Sequence, residues 1–176
     1  MLSPVPINVE IKARTGEPGR VLQRLAALGA ELQGIDHQVD TYYGARTGRL
    51  KLRRGTIEHA LIAYERGDQS GPKVSRVTLY EPNDSDRLHA TLSAALGVVV
   101  VVDKRRHIWW ADNVKLHVDD VAGLGAFLEI EAIDQHGDLG EVALRRQCSE
   151  WLELLGVDHN DLVDRSYSDL LLDRRT

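Results

Sequence analysis

The feature that most constrains this chain is a repeated two-residue alternation of apolar and charged side chains. From Pro6 to Arg14, Ile7, Val9, Ile11 and Ala13 are apolar while Asn8, Glu10, Lys12 and Arg14 are polar. A period of two over eight residues is the signature of a half-buried strand. The same split recurs further along. Leu50 and Leu52 oppose Arg49, Lys51 and Arg53; Val114, Leu116 and Val118 oppose Asn113, Lys115, His117 and Asp119; Leu128, Ile130 and Ala132 oppose Phe127, Glu129 and Glu131. Successive side chains point to opposite sides of a strand, so each strand carries an apolar side that must be covered and a charged side that must reach water or an ion.

Further strands are expected over Ile35 to Tyr43, Ala60 to Arg66, Val74 to Glu81 and Val98 to Trp110. Helices are expected after Gly16-Glu17-Pro18, near Ser85 to Leu96, and at the end over Leu139 to Leu155, Asp161 to Val163 and Ser166 to Leu172. About eight strands, with helices after the first, fifth and eighth only, argue for an α+β fold with an antiparallel sheet or barrel. No composition break or linker divides residues 1–176, so a single domain is expected. At 176 residues it buries enough surface to need no disulfide, and the lone Cys148 is expected to be a core residue in a reducing cytoplasm. No apolar run is long enough to span a bilayer, and the first residues lack the features of a signal peptide, so no membrane partner is expected.

Two arrangements satisfy the charged faces. They either form the wet side of an open sheet, or line the inside of a closed eight-stranded barrel whose helices pack on its outside. Alternation alone leaves both open. The distribution of charge favours the barrel. The chain is acidic, with 22 Lys and Arg against 27 Asp and Glu and a net charge of −5, which argues against a nucleic-acid partner. Yet all five lysines fall in or beside strands, and the charged faces gather Lys12, Arg14, Lys51, Arg53, Arg66, Lys104, Arg106 and Lys115 against Glu10, Asp119, Glu129 and Glu131. A local positive excess within an acidic protein predicts a polyanion site. A few carboxylates among the cations suit Mg²⁺ or Mn²⁺ shared with substrate phosphates. Seven histidines show no metal-binding spacing and no phosphate-binding glycine loop is present, so zinc and P-loop chemistry are not expected. Tyr42, Tyr64, Trp109 and Trp110 could either stack on a base or pack.

The segment Asn8-Val9-Glu10-Ile11-Lys12-Ala13-Arg14 resembles the E-x-E-x-K signature of CYTH domains, also called triphosphate tunnel metalloenzymes. The likeness continues through Gln38 to Tyr43, Gly48 to Arg53, Leu61 to Arg66, Lys73-Val74-Ser75, Val102 to Arg106, Leu116 to Asp119, Gly123 to Glu131 and Ser166 to Asp169. It implies an eight-stranded antiparallel tunnel holding a triphosphate, and a metal-dependent phosphotransfer enzyme resembling the class IV adenylyl cyclase branch, which turns ATP into cyclic AMP and pyrophosphate. Inorganic or thiamine triphosphatases, and a non-catalytic nucleotide sensor, are the alternatives, with ATP, tripolyphosphate or thiamine triphosphate as partner and a homodimer admitted. The resemblance assigns Glu10, Asp119, Glu129 and Glu131 to the metal and Glu10, Lys12 and Glu131 to catalysis. It assigns Lys12, Arg14, Lys51, Arg53, Arg66, Lys73, Lys104, Arg106 and Lys115 to the substrate. One position departs from the pattern: Asn8 stands where the first acid is expected. An amide oxygen still coordinates a hard cation but brings no charge, which should weaken a second metal site.

Overall fold

The computed structural model describes residues 7–66 and 73–174, leaving out the side chains of Arg66, Lys73, Ser75 and Arg76. Eight strands appear: β1 (Ile7–Arg14), β2 (Glu31–Tyr43), β3 (Arg49–Gly55), β4 (His59–Arg66), β5 (Lys73–Tyr80), β6 (Val98–Ala111), β7 (Val114–Val121) and β8 (Gly125–Asp134). Four α-helices accompany them: α1 (Pro18–Ala27), α2 (Ser85–Leu96), α3 (Glu141–Leu155) and α4 (Tyr167–Asp173). None of the described helices is long and apolar enough to cross a membrane.

All strand pairs are antiparallel, and the sheet curls in the order β1-β5-β4-β3-β2-β6-β7-β8, with β8 again beside β1. The joints differ in strength. β1 meets β8 over eight residue pairs, from Ile7 opposite Asp134 to Arg14 opposite Phe127, but meets β5 over four, from Ile7 opposite Arg76 to Glu10 opposite Lys73. Among the described residues the β1–β5 seam is the shorter of these two joints.

The alternation sorts the side chains as the sequence predicts, but the helices cover only part of the outside. Val9, Ile11, Leu116, Leu128, Ile130 and Ala132 turn outward beneath α1 and α3, where Val21, Leu25, Leu144, Cys148 and Leu152 complete the larger core. Burial holds the Cys148 thiol up at about 12, so it is inert, as expected of a core residue. The start of β6 has no such cover on its outer side: Val99 and Val101 remain exposed, with Ile35 on β2, while Trp109 further along packs into the larger core. A second apolar cluster joins Tyr42, Val100, Val102, Val121, Leu124 and Phe127 to Tyr167 of α4. The strand residues among these are inward positions, so α4 closes one end of the curl, where the helices were expected only on its outside. The helix is fixed there by a capping box between Ser166 and Asp169, and by Arg49 of β3, which donates to Ser166 Oγ at 2.6 Å and Asp169 Oδ2 at 2.9 Å.

β2 begins four residues earlier than the alternation suggests. Glu31 to Gly34 has no period-two pattern and is carried as a strand by β6, whose ladder runs to Glu31 opposite Trp110 past an irregularity between Leu32 and Gly34.

Candidate functional site

Inside the curl lies a cavity of about 600 Å³ whose lining reaches Ser166 and Tyr167. Among the described residues, six lysine and arginine side chains line it: Lys12 from β1, Lys51 and Arg53 from β3, Lys104 and Arg106 from β6, and Lys115 from β7. Glu10, Glu129 and Glu131 share the wall formed by β1 and β8. The cations and carboxylates singled out from the strand faces thus do look inward at one another.

The expected positive excess, however, is not found among the described residues. Asp40, Glu58 and Glu81 also line the cavity, so six carboxylates face six cations. Asp40 is the sink of the cationic wall. It accepts from Lys51 Nζ at 2.9 Å, from Arg53 Nε and Nη2 at 2.9 Å each, and from Lys104 Nζ at 3.4 Å. Burial opposes its ionisation, yet Arg53, Lys104 and Lys51 together hold its carboxyl well below the usual range. Burial, seconded by Arg106, pushes the Lys104 ammonium down to about 7, so this lysine is poised to lose its charge near neutrality.

Asp119 is a correction to the proposed metal set. It is fully buried and does not line the cavity. Both its oxygens are taken by Arg106, at 2.7 Å from Nε and 2.6 Å from Nη2, and the Tyr167 hydroxyl donates to Oδ2 at 2.7 Å. A bidentate pair of this kind orients Arg106, and with the Tyr167 hydroxyl it engages both carboxylate oxygens away from the cavity. Arg14 shares the parity of Lys12 but lies beyond the cavity. Its guanidinium stacks on Phe127 at 4.8 Å and donates to the Leu124 carbonyl, because Phe127 and Tyr167 fill the interior at that level. Lys73 aligns with Glu10 in the β1–β5 ladder; its side chain and that of Arg66 lie outside the described residues.

The carboxylate wall has the opposite problem. Glu10 and Glu131 are cross-strand neighbours, a like-charged juxtaposition that is unfavourable without a cation. Burial raises the Glu131 carboxyl, Lys115 offsets part of this, and Glu10 and Glu129 add to it. Asn8 donates from Nδ2 to Glu131 Oε1 at 2.8 Å, while its Oδ1 is buried without a partner. Glu129 sits 3.3 Å from Lys12 and 3.5 Å from Arg106, which keep its carboxyl low against burial. Among the described residues, no three His, Cys, Asp or Glu side chains converge into a ready metal cage. An unpartnered amide oxygen beside two crowded carboxylates nevertheless suits a hard divalent cation that takes its other ligands from substrate and water.

His117 completes this wall. It is buried, its ring nitrogens have no hydrogen-bond partner, and burial together with Arg106 brings it down to about 4, so it is neutral at neutral pH. Of the four aromatic candidates, Tyr42 and Tyr64 reach the cavity, Trp109 packs into the larger core, and Trp110 lies under the Lys115 ammonium at 5.2 Å.

Asp40 and Glu58 are absent from the sequence-derived site. For Asp40 a signal existed: Asp36, Gln38, Asp40 and Tyr42 share one parity of β2, the buried one. Glu58 stands in the loop between β3 and β4, where alternation carries no information.

Known proteins share this architecture. A Methanocaldococcus jannaschii protein provisionally named adenylate cyclase is 27% identical over 93% of this chain and 98% of its own length. A solved Pyrococcus horikoshii structure superposes with a TM-score of 0.82 at 23% identity, covering 93% of this chain and 98% of the other. A Vibrio parahaemolyticus structure, also provisionally named adenylate cyclase, superposes at 0.76 with 20% identity, covering 94% and 98%. The sequence pattern from the first strand to α4 is matched as a whole: residues 6–167 fit the CYTH domain, and the chain belongs to that family.

Proposed function

We propose that this protein is a metal-dependent phosphotransfer enzyme acting on a triphosphate-bearing substrate, and that it works as an adenylyl cyclase, converting ATP to cyclic AMP and pyrophosphate. The observation that carries this reading is the segregation of charge in one cavity. Lys51, Arg53, Lys104 and Arg106 line the β3 and β6 side, the first three gathered on the carboxylate of Asp40, and Glu10, Glu129 and Glu131 line the β1 and β8 side with Lys12 as the cation among them. A polyanion with a cation at one end matches that polarity. In this reading the curled sheet acts as a closed tunnel around its substrate.

The cations already have partners, so binding is an exchange: phosphate oxygens replace the carboxylates on Lys51, Arg53 and Lys104, while Arg106 stays oriented by Asp119. Preorganised cations at the leaving pyrophosphate lower the barrier as charge accumulates there. Glu10, Glu131 and the Asn8 amide oxygen, with Glu129 behind them, would hold Mg²⁺ or Mn²⁺. When bound, the ion neutralises charge and polarises a phosphoryl oxygen. The carboxyl of Glu131, raised by burial, is suited to take the proton of the attacking 3′-hydroxyl. The cyclase reading draws support from the provisional name of the 27% identical relative.

The test is incubation of the protein with ATP, tripolyphosphate and thiamine triphosphate in Mg²⁺ or Mn²⁺. Cyclic AMP with pyrophosphate is the expected product. Release of orthophosphate would assign a triphosphatase instead, and tight binding without turnover a sensor.

A further inference from the structure

One acid in the cavity is held there by a device of its own. The turn after β3 is built so that Glu58 points inward. A side chain at Gly55 would place its Cβ 2.4 Å from the Glu58 carbonyl and 2.7 Å from Asp36 Oδ2, so the close approach requires glycine. Asp36, fully buried, accepts from Thr56 N at 2.6 Å, Thr56 Oγ1 at 2.8 Å, Ile57 N at 2.9 Å and Glu58 N at 3.0 Å. Gln38 then ties both ends, donating from Nε2 to Asp36 at 2.8 Å and to Glu58 Oε2 at 3.0 Å. A loop carboxylate left to itself turns to water; this one instead bridges Arg53, at 3.0 Å, and Lys115. Those two cations stand on β3 and β7, with β2 and β6 between them, so Glu58 spans the cavity.

We propose that Glu58 is an internal counter-anion occupying the place of an outer phosphate, and that it limits the length of phosphate chain the cavity accepts. The inference rests on the triphosphate reading above and deepens it. Lys51 and Lys104 serve a chain from the Asp40 side without disturbing Glu58, whereas a phosphate that reaches both Arg53 and Lys115 must displace it. The carboxylate thereby acts as a specificity determinant, taxing each longer chain.

The experiment is calorimetric titration of the full chain with pyrophosphate, tripolyphosphate and tetrapolyphosphate, in the wild type, Glu58→Gln and Glu58→Ala, with circular dichroism confirming the fold. Removing the charge should tighten tripolyphosphate and tetrapolyphosphate binding about tenfold and pyrophosphate binding much less. Adding Lys115→Met to Glu58→Gln should erase the gain. Tripolyphosphate binding that is unchanged or weaker in both Glu58 variants, with the wild type binding normally, overturns the role of Glu58 and leaves the triphosphate reading standing. A gain equal for all three chain lengths overturns the length limit. Absence of binding in every form overturns both.

Discussion

Asp40→Asn removes a single charge from the centre of the cationic wall, and the structure fixes the scale of the effect. The Asp40 side chain is 2% exposed and takes four hydrogen bonds from Lys51, Arg53 and Lys104. The amide keeps the shape and one acceptor but turns an NH₂ donor towards cations. Removing one partner of a buried ion pair costs about 3–5 kcal/mol, because the charge left behind is stranded. Here three cations lose a shared partner; Arg53 keeps Glu58 at 3.0 Å, but Lys51 and Lys104 do not, which argues for a cost within that range. Lys104 provides relief, since an ammonium already down at about 7 can shed its proton, so the loss should be larger at pH 6 than at pH 9. For a chain of this size the cost corresponds to a fall in melting temperature of about 6–20 °C. Tripolyphosphate should restore more stability to the variant than it adds to the wild type, because it supplies the missing counter-charge. Differential scanning calorimetry with and without millimolar tripolyphosphate measures both effects. A loss under about 1 kcal/mol, unresponsive to pH and polyphosphate, would show that Asp40 does not hold the wall together.

Glu131→Gln should reduce turnover at least about a hundredfold, while the melting temperature at neutral pH stays level or rises. A carboxyl raised by burial destabilises the fold once pH passes its unfolded value, and the amide removes that cost; retained activity or a lower melting temperature would contradict the assignment. Triphosphate binding requires Lys104 charged, so at pH 8 it should take up a proton, seen as a binding heat that depends on the buffer's ionisation enthalpy. The same linkage weakens binding as pH climbs from about 7 towards the ordinary lysine range, and it should vanish in Lys104→Gln. Tyr167→Phe strips the hydroxyl from Asp119 and should cost about 1–3 kcal/mol in chemical denaturation, with affinity for tripolyphosphate reduced through a looser Arg106. An unchanged denaturation midpoint would mean that Tyr167 only fills space.

Side-chain parity made the inner and outer faces of β1, β3, β7 and β8 legible, since a two-residue period assigns each residue a side. It put Glu10, Lys12, Lys51, Arg53, Lys115, Glu129 and Glu131 on the charged faces, which the curl of the sheet then brings together in one cavity. Parity says nothing about depth along a strand, which is why Arg14 and Asp119 were grouped with the site. Both have the right side, but Arg14 lies beyond the plug of Phe127 and Tyr167, and Asp119 is sealed behind Arg106. The balance of charge among the cavity's described residues was hidden for a different reason. Glu58 comes from a loop whose direction is set by Asp36 through backbone donors, and such a clamp leaves no periodic trace.

The placement of α4 against the inner strands has a consequence for how the protein comes into being. The cavity floor is made by Tyr167, and its carboxylate wall joins the first strand to the eighth, more than a hundred residues away. The pocket is therefore assembled from contacts of long sequence separation, and a ring of this kind should close slowly, its carboxylate wall forming only when β8 reaches β1 and its floor only when Tyr167 docks.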